Sequence, residues 1–145
     1  MAITTALCNS FKTEILGGVH DLDTDVIKLA LIKDTPSGSY GSSTTNYSEV
    51  TGNSDEASGT NYTTGGAILG SATISLDSNT AIVDFANVTF SSSTISADGC
   101  LIYNSTQANR AIAVIDFGGT VSSATGDFVI TFPAAGASTA IIRIV

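Results

Sequence analysis

Apolar positions along the chain fall into two rhythms. Near the N-terminus Leu7, Cys8, Phe11 and Ile15 recur at helical spacing and make one stripe, while Asn9, Lys12 and Glu14 point elsewhere. This predicts an N-terminal helix over 3–17, with Thr4 or Thr5 as its cap and Gly17–Gly18 as its stop. A helix of about 12 residues is marginal alone and must pack on something. From Asp25 onward the period drops to two. "VIKLALIK" reads as a strand ended by the turn sequence "DTPSG".

The second half is strand after strand. "AILGSATISL" and "TAIVDFANVTF" are joined by "DSN", a hairpin-sized turn. In the latter, Ala81, Val83 and Phe85 slip one residue out of phase with Val88 and Phe90, which predicts a bulge or bend near Asn87. "GCLIYNS" and "RAIAVIDFG" flank a second hairpin link, "TQAN". "DFVITF" alternates, and "TAIIRIV" puts Ala140, Ile142 and Ile144 on one side of a last strand. "AIAVI" is apolar on both faces, so it should be covered twice, by an opposite sheet and by the helix or a neighbouring subunit. Between these blocks, 35–66 is dense in Ser, Thr, Gly and Asn and reads as a long polar surface loop with one short strand near Tyr47–Val50. The pattern predicts a single all-β domain over 1–145: an antiparallel β-sandwich or partly closed barrel of about seven or eight strands with one short N-terminal α-helix.

Composition narrows the partners. Of the 145 residues, 43% are apolar and 12% charged, so the chain should fold around a real core and build its surface from Ser, Thr, Asn and Gly. The net charge is −8, and the five cations Lys12, Lys28, Lys33, Arg110 and Arg143 are scattered. Phosphates are neutralised by clustered cations, so no nucleic-acid partner is expected, and an anionic membrane would repel the chain. No apolar run approaches the roughly 20 residues that span a bilayer. The first residues lack a secretion pattern, which predicts synthesis in a cytosol. Cys8 and Cys100 have no metal spacing, and whether they pair is open.

The stretch "HDLDTD", His20 to Asp25, holds the only histidine and the most suggestive acids. Alternating aspartates resemble the opening of a calcium loop, but such a loop needs glycine at position six and glutamate at position twelve. Counted from Asp21 those positions hold Val26 and Ile32; counted from Asp23 the sixth is Lys28. The pattern fails, and the stretch reads as a polar hinge in which aspartates satisfy turn donors. His20 has no second histidine or cysteine ligand, and no "GxSxG" elbow supplies a nucleophile. Asp84, Asp116, Asp127 and the pair Asp55–Glu56 could serve as hydrolytic carboxylates, yet no Trp offers a sugar platform. No enzymatic activity, cofactor or metal is expected. Weak glycan binding by such a sandwich stays open.

With "ALCNSFKTEIL", "GTNYTTGGAIL", "IVDFANVTF", "LIYNSTQANRAIAVIDFGG" and "FVITFP…ASTAIIRIV" in view, the chain resembles a family of small all-β virion structural proteins of tailed bacteriophages. The resemblance covers nearly the whole chain and is weakest over Thr35 to Asn61. It implies a capsid decoration (cement) protein on the outer surface of the virion, assembled in the host cytoplasm, that bridges capsomers. The implied partners are the major capsid protein and further copies of this chain, as a homo-oligomer such as a trimer. The alternative is a tail-tip, collar or fibre-base module touching host glycan or other tail proteins. Candidate interface residues are Leu7, Phe11 and Ile15 on the helix, Tyr40, Tyr47 and Tyr62 in the polar tract, and Arg110 and Arg143 as ion-pair partners.

Overall fold

The computed structural model describes residues 2–145. In chain order the elements are β1 (Ala2–Ile3), β2 (Ala6–Leu7), α1 (Asn9–Leu16), β3 (Ile27–Lys33), β4 (Ser39–Tyr40), α2 (Ser48–Gly52), β5 (Ala67–Ile68), β6 (Thr73–Asp77), β7 (Thr80–Asp84), β8 (Val88–Asn104), β9 (Arg110–Ile130) and β10 (Ile142–Ile144). The chain is all-β, an open stack of sheets and not a closed barrel. A five-stranded antiparallel sheet runs β2-β9-β8-β3-β5, a three-stranded antiparallel sheet runs β10-β7-β6, and β1 pairs with β4 in parallel. One cluster of buried side chains joins residues from β3, β7, β8, β9, β10 and α1.

The N-terminal helix is half the expected length. Ala6 and Leu7 are strand, paired with Val114 and Ala113 of β9, so Leu7 belongs to a sheet edge and not to the helix stripe. The pairing extends as Cys8 N–H donates to the Ile112 carbonyl, and Cys8 sits extended at the helix start without a side-chain cap. The expected Thr4 or Thr5 cap is therefore absent, because backbone pairing to β9 wins over marginal helix propensity. The Gly17–Gly18 stop has a definite geometry. Gly18 takes φ +73°, its N–H donates to the Ile15 carbonyl, and Val19 N–H donates to Glu14, which is a Schellman motif.

The strand count rises to ten because β1, β2 and β4 form where the pattern predicts a helix and a loop, while two blocks that split between sheets are offset by two mergers. "AILGSATISL" gives β5 to the large sheet and β6 to the small one. "TAIVDFANVTF" is cut at residues 85–87, where the chain leaves β7 of the small sheet for β8 of the large one. The phase slip thus marks a change of sheet. Conversely, β8 and β9 form one long hairpin of 17 and 21 residues, and four register shifts bend it.

The tract 35–66 is not a loose loop. Thr45 accepts from Ala111 N–H and Tyr47 N–H donates to Asn109, beside β9. Further on, Lys33 N–H donates to Asp55 and Ala57 N–H donates to Leu31, beside β3. Since β8 lies between β9 and β3, the tract crosses it, and Tyr47 stacks on Tyr103 of β8 with ring centroids 4.5 Å apart. The expected strand near Tyr47–Val50 is instead the short helix α2, whose Val50 is fully buried.

Candidate interaction surface

Two acids pin the tract, and both were legible only as possible catalytic carboxylates. Asp55 is fully buried. One oxygen accepts from Ser37 N–H at 2.9 Å, Ser37 Oγ at 3.0 Å and Lys33 Nζ at 3.1 Å, and the other accepts from Gly38 N–H and the Tyr40 hydroxyl, both at 2.7 Å. Burial works to raise its pKa, but these donors, Ser37 first, hold the carboxyl well below the usual range. Glu56 accepts from the hydroxyls of Tyr47 and Tyr62 and from Gly65 N–H. Burial first, and then the Glu56 charge and hydrogen bonds, push both tyrosine hydroxyls up. Tyr40, Tyr47 and Tyr62 are therefore internal anchors facing acids of their own chain, which corrects their reading as outward interface anchors. The signal that could have shown this network is an acid pair and three tyrosines in a tract without a Lys or Arg.

The "HDLDTD" stretch is a hinge built around a buried imidazole. Asp21 Oδ1 accepts from the backbone of Asp23 and Thr24, and Asp25 Oδ2 accepts from Asp21 N–H. The His20 side chain is fully buried. Its Nδ1 faces the Asn104 amide at 3.1 Å, and that amide also donates to Asp25 at 2.6 Å. The amide's oxygen accepts from Thr106 and Gln107 N–H, which fixes its orientation. Nδ1 must then accept, so the proton sits on Nε2 and is donated to Glu14 at 2.7 Å. Glu14 also takes Arg110 at 2.8 Å. Burial alone would raise Glu14, but the hydrogen bonds from His20 and Arg110 hold it below the ordinary value. Arg110, a candidate for an ion pair between subunits or for a solvated rim charge, is instead paired with Glu14 of its own chain. Both ring nitrogens of His20 are thus engaged within the chain.

The remaining reactive groups are spent likewise. Cys8 and Cys100 are free and fully buried, and burial pushes the Cys8 thiol up to about 12. Among the described residues no cluster of His, Cys, Asp and Glu could hold a metal ion. Arg143 is exposed and donates to the Ala137 carbonyl at 3.2 Å.

What the surface does gather is apolar. On one face of the small sheet the register aligns Ile74, Val83 and Ile142 in one row and Leu76, Ala81 and Ile144 in the next. Val83 and Ile142 are buried, but Ile74, Leu76 and Ile144 are more than half exposed, as is Leu16 at the end of α1. Between α1 and this sheet runs a groove of about 400 Å³ whose lining includes Phe11, Ile15, Leu22, Ile82 and Ile142. A continuation beside Leu7, Lys12, Leu16 and Arg143 extends it. Of the expected helix contacts, Phe11 is buried in the core, while Leu7 and Ile15 are half-buried and line this groove. A second apolar groove, of about 440 Å³, lies along Phe117, Phe128, Val129 and Phe132. No family model, curated protein or solved structure matches the chain.

Proposed function

We propose that the protein is a building block of a tailed-phage virion, and that it decorates the capsid by bridging capsomers. The observation that carries this reading is a division of labour on the molecule. The clustered acids, the imidazole and the two thiols are spent inside, on holding loops to sheets, while large aliphatic side chains gather on the exposed face of the small sheet. Contiguous exposed apolar surface on a small chain marks a contact site. The sequence resemblance supplies the setting, with the major capsid protein and further copies as partners. A skin of hydroxyl and amide side chains with few cations suits a surface that must not bind the packaged genome or host polyanions.

Copy number in purified virions tests the reading. Hundreds of copies per particle, with density on the outer shell in a reconstruction, is the expected result. A dozen copies or fewer would move the protein to the tail. A polar cleft of about 540 Å³ lined by Lys33, Asp34, Ser54, Ser58 and Ser96 favours that second reading, because hydroxyl-rich clefts suit sugars. A glycan screen with hits abolished by filling this cleft would support the tail role.

A further inference from the structure

We infer that β6 is a pairing edge for β6 of a second copy of this chain. The strands join antiparallel about a two-fold axis at Ser75, and the two small sheets become one six-stranded sheet. This goes beyond the capsid role and does not rest on it, since a tail component could pair in the same way.

The edges of the sheets are not equivalent. In the large sheet the edge strands β2 and β5 are two residues long, and where β9 runs on past β2 its edge is broken by register shifts against β8 and by positive φ at Gly118, Gly119 and Thr125. β10, at one side of the small sheet, has three residues with the cation Arg143 in its centre. β6, at the other side, has five residues, Thr73-Ile74-Ser75-Leu76-Asp77, and all are exposed. Its register with β7 is regular, without a bulge. Natural proteins guard a bare edge with Lys, Pro, a bulge or extreme shortness. β6 has no Lys, Pro or bulge and only one charge, Asp77 at its turn end, and it presents Ile74 at 54% and Leu76 at 71% exposure.

The side-chain order on β6 selects the occupant. A two-fold antiparallel pair centred on Ser75 sets Ile74 against Leu76 of the other copy, on the same face, and repeats that contact by symmetry. The one charge on the strand, Asp77, then lies opposite the neutral Thr73, so no like charges meet. The same pairing at β10 would bring Arg143 against Arg143, which charge disfavours. The apolar rows of the two sheets become continuous across the seam. Each copy carries a net charge of −8, so long-range repulsion opposes the approach and salt relieves it. Association is therefore stronger in high salt, the opposite of a complex held by ion pairs.

Sedimentation of the full-length protein between about 10 μM and about 1 mM tests whether copies pair at all, a range that captures affinities typical of modest interfaces. Wild type is expected to form a dimer that tightens with added sodium chloride. Leu76→Lys places a charge at the exposed edge and should weaken the dimer about tenfold or more, with the thermal midpoint of the monomer unchanged. Cysteine variants fix the register. Opposed residues in an antiparallel pair have Cα atoms about 4.5–5.5 Å apart, inside the roughly 4.4–6.8 Å that a disulfide spans. Ser75→Cys should therefore oxidise to a covalent dimer. Thr73→Cys should not, because its two copies lie four residues apart along the seam, about 13 Å. The native thiols, being buried, do not interfere. The inference is overturned by a monomer throughout the range with no Ser75→Cys cross-link, by a dimer that Leu76→Lys leaves intact, or by equal cross-linking at Thr73. Protection of β6 amides from hydrogen exchange only after capsid shells are added would assign the edge to a shell strand and overturn self-pairing.

Discussion

Replacing Asp55 by Ala should unfasten the polar tract, because that carboxylate is a buried acceptor shared by residues 33, 37, 38 and 40. Five donors converge on its two oxygens. Lys33 is one-third exposed and recovers its hydration, so its loss counts for little. Ser37 Oγ can also turn to the Asn53 carbonyl, and the Tyr40 hydroxyl keeps Asn53. The two backbone donors, Ser37 and Gly38, are left without this acceptor at about 1–3 kcal/mol each. With the partly compensated hydroxyls, the expected loss is about 3–5 kcal/mol, a large share of the roughly 5–15 kcal/mol that holds a domain folded. Urea unfolding followed by circular dichroism measures it, and the thermal midpoint should fall by roughly 10 °C or more. Asp55→Asn keeps the shape but turns an NH2 toward donors and should cost somewhat less. The pH dependence has a definite sign. The folded pKa lies below the unfolded one, so the carboxylate stabilises above the unfolded value, and that stability drains away as the pH falls from about 5. The Ala variant should lack this part of the acid slope. A loss under about 1 kcal/mol, or an unchanged acid slope, would refute the idea that Asp55 anchors the tract.

The buried imidazole gives a related expectation: His20→Ala removes a ring packed 5.1 Å from Phe11 and strands Glu14 and the Asn104 amide, costing about 2–4 kcal/mol in urea unfolding. Arg110→Ala breaks only an ion pair whose arginine is 44% exposed, so the same assay should show less than about 1 kcal/mol. Two glycines with similar positive φ separate strain from crowding. Gly118→Ala meets no atom within 4 Å and should cost about 1 kcal/mol, whereas a Cβ at Gly66 would fall 1.8 Å from the Leu29 carbonyl oxygen, so Gly66→Ala should lower the soluble folded yield sharply. Cys8 and Cys100 should react with a thiol reagent only as fast as the chain opens, and a mass spectrum of the oxidised native protein should retain both free thiols.

Local chemistry could be read from single segments. The Gly17–Gly18 stop is realised because only the residue at Gly18 need adopt a left-handed conformation. "DSN" closes the β6–β7 hairpin, in which Asp77 and Thr80 are paired and Ser78 has φ +56°. The hinge role of "HDLDTD" likewise needs only aspartates beside turn donors. Hidden from such reading was everything set by residues distant in the chain. Leu7 fits the helix stripe by spacing, yet β9 offers it backbone pairing that spacing cannot reveal. The polar tract looked structureless because its order comes from acids and tyrosines meeting across sheet strands, not from an apolar period.

Periodicity and turn residues by themselves determined that this chain is all-β, where its hairpins turn and where its helix ends, because these depend on φ/ψ preferences and on which face of a strand is apolar. Only the tertiary structure decided which strands share a sheet and which face is left bare. The same alternating pattern serves the buried Val83 and the exposed Leu76, and what separates them is whether α1 and its neighbours happen to lie over that part of the sheet.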